Sequence, residues 1–213
     1  MKLRTITIVL VLAIVCALPL AAQVKSGVIG SPHDIGYLAS PPTAGAGCKG
    51  CHAPHNGSLA TGGSQTTGTI LLWARAFTAE TFGRYTSPTL DNPTVEVGAT
   101  TPLATEARLY SFLCMSCHDG VTSLSLIVAT DAAAVGNPTN SAGLTNDHPV
   151  NMTHDETQDT GLKTPTQVTT AGLKLYGTNT VQCASCHDAH NNTNTPFLRI
   201  ANTSSALCLA CHK

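Results

Sequence analysis

Large rigid side chains are scarce in this sequence. Phe, Tyr and Trp together make up 4% of its 213 residues, with one Trp, and Met occurs three times. That length suits one ordinary domain or two small ones. A chain so poor in aromatic rings is badly equipped to fill a core from its own side chains. Charge is scarce as well: Asp, Glu, Lys and Arg amount to 11%, and the formal net charge is −1. This argues against a nucleic-acid binder with a basic face and against a disordered polyelectrolyte. Past residue 22 there is no apolar run of membrane-spanning length. Gly, Pro, Ser, Thr and Asn are abundant instead, and there are nine cysteines. Buried apolar surface must come from another source, and the cysteines point to it.

One of the nine belongs to an export signal. Lys2 and Arg4 precede an apolar run from Ile6 to Leu20, closed by the small pair Ala21-Ala22. The pattern predicts a secretory signal peptide over residues 1–22, cut after Ala22 to leave Gln23 first. An uncleaved anchor competes with this reading, but the run is short for the ~20 residues a membrane helix needs. A lipoprotein signal needs a small residue before Cys16, where Val15 stands. Export removes Cys16 and places the mature chain, residues 23–213, at the cell surface or outside it, with the periplasm as the alternative.

The remaining eight cysteines form four pairs, each followed at once by histidine: Cys48 and Cys51 with His52, Cys114 and Cys117 with His118, Cys183 and Cys186 with His187, Cys208 and Cys211 with His212. Positions i, i+3 and i+4 share one face of a helical turn. Two thiols so placed can bond the vinyl groups of a haem while the imidazole binds its iron, which is the chemistry of the c-type attachment signal. Disulfides would close tiny loops of little constraint, and zinc ribbons would use the thiolates but not the histidines. Redox C-x-x-C motifs come with a βαβ pattern that is absent here. The expectation is four haem c groups with iron.

Four irons with two protein ligands each need four further histidines. His33, His55, His148, His154 and His190 are available. His55 and His190 each follow a motif histidine by three residues, too near to cross the same haem but able to reach a neighbouring one. Asp34 beside His33 and Asp147 beside His148 could orient a ring N–H. His154 has no such context beyond Asp155 and is the spare. Met152 and Met115 are alternative sixth ligands, with Met115 expected only to pack. Full ligation leaves no open iron position, so electron transfer rather than enzyme catalysis is expected. A reductase with one open haem is the less favoured alternative.

Motifs one and three both read C-x-x-C-H-x-x-H-N, and motifs two and four both follow S-x-L, so the chain is a duplicated two-haem module over 48–118 and 183–212. Its first copy carries the larger insert. Residues 104–118 are the best predicted helix, with a shorter one over 121–134 and short helical turns at 183–187 and 206–212. Residues 56–70, 86–103 and 136–182 read mainly as loop with a few short strands. Trp73, Phe77, Phe82 and Tyr85 form an aromatic cluster expected to pack on haem. The predicted fold class is mostly irregular and loop-rich with short α-helices, a multihaem cytochrome c in which stacked haems replace much of the hydrophobic core.

The chain resembles multihaem cytochromes with doubled CXXCH motifs, and more closely the extracellular tetrahaem cytochromes that polymerise into conductive filaments (the OmcE-like group). The resemblance rests on His33-Asp34, on Cys51 to His55, on Leu72 to Arg75, on Leu113 to Gly120, on Asn146 to Pro149, on Cys186 to His190, on Phe197 to Arg199, and on the final motif. Ser31-Pro32 departs from the Thr-Lys expected before His33. The resemblance implies His33, His55, His148 and His190 as distal ligands, and a homopolymer with haem-to-haem contact between subunits. Other redox proteins or extracellular acceptors would be its partners. An N-terminal arm donating His33 to a neighbour's haem would lock such a polymer, whereas a soluble periplasmic shuttle would share every motif without assembling.

Overall fold

The computed structural model describes residues 27–36, 47–52, 73–75, 82–92, 109–119, 144–145 and 147–213. His55, Phe77 and the helix expected over 121–134 lie outside the described residues. Within them the elements are short. Helix α1 is Gly47–Cys51 and α2 is Leu109–His118; β1, Met152–Thr153, is followed by α3, Pro165–Thr170. Strand β2, Thr180–Val181, leads into α4, Cys183–Cys186, and a 3₁₀ turn at Thr203–Ser205 leads into α5, Ala206–Leu209. The strands pair antiparallel, Met152 with Val181 and Thr153 with Thr180. Among the described residues no helix is long and apolar enough to cross a membrane.

Motif two occupies the end of α2. The run without Gly or Pro predicts helix from Ala104, and the described part is helical from Leu109. One face of α2 is sunk in the protein: Phe112 and Met115 pack with Phe82 and Leu144, and half-buried Val150 covers them. Met115 is thus a packing residue. A second cluster, Val168, Leu173 and Ala210, lies under motif four with Ile200 and Leu207 against it. Each cluster is small, as the shortage of large side chains dictates.

Helix α3 corrects the expectation of loop over 136–182. Thr164 precedes it, and its Oγ1 accepts from the Gln167 N–H at 3.3 Å while Gln167 Oε1 accepts from the Thr164 N–H at 2.9 Å. This reciprocal cap with Pro165 in the first turn is a helix-start signal written in Thr164-Pro165-Thr166-Gln167. The abundance of Thr around it masked that signal. Burial of Val168 then fixes the helix against the C-terminal cluster.

Motifs two and four also differ in setting, although both follow S-x-L. Ser111 sits inside a ten-residue helix, while Ser204 and Ser205 have φ of 52° and 62° and α5 starts after them. Left-handed backbone at a residue with a Cβ costs roughly 1–2 kcal/mol, so packing of Leu207 and Ala210 must hold this turn in place.

Ser111 also joins the two halves. Its hydroxyl donates to Gln182 Oε1 at 2.6 Å and accepts from the Cys183 N–H at 3.2 Å. Both Ser111 and Gln182 are buried. Ser111→Ala would leave a buried acceptor and a backbone donor unpaired, each costing about 1–3 kcal/mol. Thermal denaturation of the haem-loaded chain should show a clear loss of stability, and an unchanged midpoint would contradict this role.

Candidate haem sites

Each motif presents its histidine at the end of a helical turn. The His52 N–H donates to the Cys48 carbonyl at 2.7 Å, the His187 N–H to Cys183 at 3.1 Å and the His212 N–H to Cys208 at 2.9 Å. These i→i+4 bonds bring thiols and imidazole to one side of each turn. Glycine allows the first turn to seat closely: a Cβ at Gly50 would stand 2.6 Å from the Ile35 carbonyl. All eight motif cysteines are free thiols. Burial pushes Cys51 and Cys186 up to about 11.

The thiols of consecutive motifs are neighbours. Cys51 and Cys117 interact electrostatically, as do Cys186 and Cys211. Cys114 and Cys183 share a hydrogen bond, which together with burial holds Cys114 well above the usual thiol range. Helices α2 and α4, which carry motifs two and three, are in contact.

The non-motif histidines meet motif histidines in pairs. Ring centroids are 6.2 Å apart for His52 and His190, 6.1 Å for His33 and His118, and 6.5 Å for His148 and His212. A metal–imidazole bond is about 2.0 Å, so two rings on opposite sides of one metal have centroids about 6.3 Å apart. The observed separations fit that span. Planes of the first pair are nearly parallel, at 15°, while the other two pairs are inclined at 70° and 69°. Among the described residues no three His, Cys, Asp or Glu side chains are arranged to hold a metal ion.

Ring orientation comes from residues that sequence reasoning missed. The expected carboxylates do not serve: Asp34 Oδ2 accepts from the Gly30 N–H at 3.0 Å, and His33 Nδ1 is buried without a hydrogen-bond partner. His33 stacks on Phe197, with centroids 4.2 Å apart and planes 22° apart, and also interacts with the Ala189 backbone. His148 Nδ1–H donates to the Pro149 carbonyl at 3.0 Å rather than to Asp147, and His187 Nδ1–H donates to Pro196 at 3.0 Å. A carbonyl only accepts, so the proton is on Nδ1 in both rings and Nε2 is left for a metal. Burial lowers the His33 pKa, and nearby His118 lowers it further; burial also lowers that of His148. Neutral imidazole is the form that binds metal.

Asp188 is the carboxylate that does orient a ligand candidate. Its Oδ1 lies 3.5 Å from His190 Nδ1 and accepts from the His190 N–H at 3.0 Å. Its other oxygen is 3.4 Å from Arg199 Nη1. Arg199 Nε in turn donates to the Ala184 carbonyl at 2.7 Å, inside motif three. The strings Cys186 to His190 and Phe197 to Arg199 carried this signal in the sequence without showing which ring it served.

His33, expected on an arm that reaches a neighbouring subunit, lies against His118 of its own chain. The segment before it packs on the turn after motif three, where a Cβ at Gly27 would meet the His190 carbonyl at 2.6 Å. Trp73 stands between motifs one and two, edge-on to His52 at 5.5 Å and donating from Nε1 to Ser116 Oγ at 3.2 Å. Phe82 belongs to the cluster beneath α2.

A cavity of about 570 Å³ opens between motifs three and four, with Cys186 and His187 on its wall. Cys208, Cys211 and His212 border it, as do His148 and Met152, with apolar wall from Leu162 and Leu173 among others. Its size is within the few-hundred to 1,000 Å³ range of cofactor pockets, and its largely apolar wall suits a porphyrin.

A family model of the doubled CXXCH motif matches residues 178–213, the stretch that contains motifs three and four. No curated protein matches the chain. The family match and the repeated motif support a multihaem c-type cytochrome that binds haem covalently and transfers electrons.

Proposed function

We propose that this protein is an exported electron carrier with four bis-histidine c-type haems, working as the subunit of an extracellular cytochrome filament. The observation that carries the ligation is the recurrence of a motif histidine facing a non-motif histidine across 6.1, 6.2 and 6.5 Å. On this reading His52 pairs with His190, His118 with His33 and His212 with His148. His187 and His55 remain. The shared C-x-x-C-H-x-x-H pattern supports a reciprocal exchange, in which His190 serves motif one and His55 serves motif three. Stacked porphyrins would then provide the apolar core that the side chains do not.

Bound haem supplies a one-electron couple. The chain's contribution is to hold two neutral imidazoles on each iron, so that oxidation state changes with little rearrangement and no position stays open for a substrate. The thiol neighbours along motifs one to four support close attachment. Cys48 at motif one and Cys208 and His212 at motif four are exposed, whereas the cysteines of motifs two and three are partly covered. Exposed outer motifs favour electron entry and exit at the two ends, and head-to-tail contacts between copies there would continue the series without closing. Such a contact would bring haems of neighbouring copies together.

Haem counting by alkaline pyridine absorbance and intact mass should give four haems per chain, and fewer would contradict the cofactor assignment. Negative-stain electron microscopy of the haem-loaded protein should show unbranched filaments with a regular repeat. Particles of single-chain size would leave the electron carrier standing and overturn the filament.

A further inference from the structure

We infer that His154, the fifth non-motif histidine, is a positioning residue that sets the separation of the two ligand arms at motif four, acting through the Lys163 carbonyl. This rests on the pairing of His148 with His212 proposed above.

His154 is 3% exposed and borders the same cavity as both ligand candidates. Its Nε2–H donates to the Lys163 carbonyl at 2.7 Å, and its backbone N–H donates to the Asn179 carbonyl at 2.8 Å. A ring nitrogen that donates to a carbonyl keeps its proton and is closed to a metal. To ligate through that atom, His154 would have to abandon this bond.

The accepting carbonyl belongs to the segment that carries the C-terminus. Leu162 pairs antiparallel with His212, the Lys163 N–H donates to the Cys211 carbonyl at 2.7 Å, and the Lys213 N–H donates to Gly161 at 2.8 Å. Lys163 Nζ also binds the Leu209 carbonyl. Residues 161–163 thus form the support on which His212 hangs. His148 stands on the other arm, in the segment that runs into β1 and then directly to His154. The 2.7 Å bond from His154 ties the two arms directly, beside the turn that joins them, where the Leu162 N–H donates to the Asp159 carbonyl and the Asp159 N–H to that of Asp155.

The test uses the full haem-loaded chain with His154→Ala and His154→Gln, the glutamine amide being able to donate where Nε2–H does. In His154→Ala all haems should remain low-spin. One redox step of the potentiometric titration should shift, and amide exchange at Lys163 and Lys213 should quicken by roughly tenfold. His154→Gln should restore both. A high-spin haem that binds carbon monoxide in His154→Ala would make His154 a ligand and overturn the inference. Unmoved potentials and exchange would overturn it equally. If His154→Ala does not accumulate, a His154→Gln protein with wild-type potentials sustains the tie, and loss of that variant too overturns it. His148→Ala separately tests the pairing itself: a fully low-spin His148→Ala protein would defeat the pairing whatever His154 does.

Discussion

Replacing His148 by alanine is expected to convert one haem of the chain from low-spin to high-spin and to let it bind carbon monoxide when reduced. The haem should stay attached, because Cys208, Cys211 and His212 are untouched. His148 is the ring that faces His212 at 6.5 Å, and its Nδ1–H is committed to Pro149, which turns Nε2 toward whatever occupies the cavity. Alanine leaves nothing at that position. Besides His187 of motif three, Met152 and His154 on the cavity wall could compete for it, but His154 would first have to release the Lys163 carbonyl. The change is all-or-none at one site, so visible and magnetic spectra should register it as a complete loss of one low-spin component. A fully low-spin spectrum would defeat the pairing.

A second large effect is expected at a distance in sequence. His190→Ala should open the site of motif one rather than that of motif three, which lies three residues before it. His190 faces His52 across 6.2 Å, and the Asp188–Arg199 pair holds its ring. The planes of these two imidazoles are 15° apart, whereas the other observed pairs are inclined at 70° and 69°. Parallel axial rings split the two iron orbitals with which they overlap, giving a rhombic low-spin resonance. Nearly perpendicular rings leave those orbitals close in energy, giving a strongly anisotropic one. Electron paramagnetic resonance of the oxidised His190→Ala protein should therefore lose a rhombic component and gain a high-spin signal. His148→Ala should instead lose a strongly anisotropic component. Loss of the same component in both variants would contradict the assignment.

Legibility in the sequence divided along a physical line. The four C-x-x-C-H strings could be read because haem attachment is local chemistry: three side chains on one helical turn, with spacing set by the backbone. Helix α2 was legible from an uninterrupted run, and the small apolar clusters follow from the shortage of aromatic rings. Helix α3 was legible in principle from its cap, but Thr-rich surroundings hid it.

Orientation of the ligand candidates was misread where neighbours in sequence were taken for neighbours in space. Asp34 and Asp147 adjoin histidines along the chain, yet Asp34 binds the Gly30 N–H and His148 uses the Pro149 carbonyl. Phe197, far from His33 in sequence, supplies the face on which it stacks.

The sequence by itself carried the haem-attachment motifs, the list of candidate histidines and the repeated pattern around them, because each is a pattern of residue types at short range. Only the tertiary structure brings His33 beside His118, His190 beside His52 and His148 beside His212, and joins His154 to the Lys163 carbonyl. Those are contacts between segments far apart along the chain, set by how small apolar clusters and single hydrogen bonds pack them, and no local spacing encodes that packing.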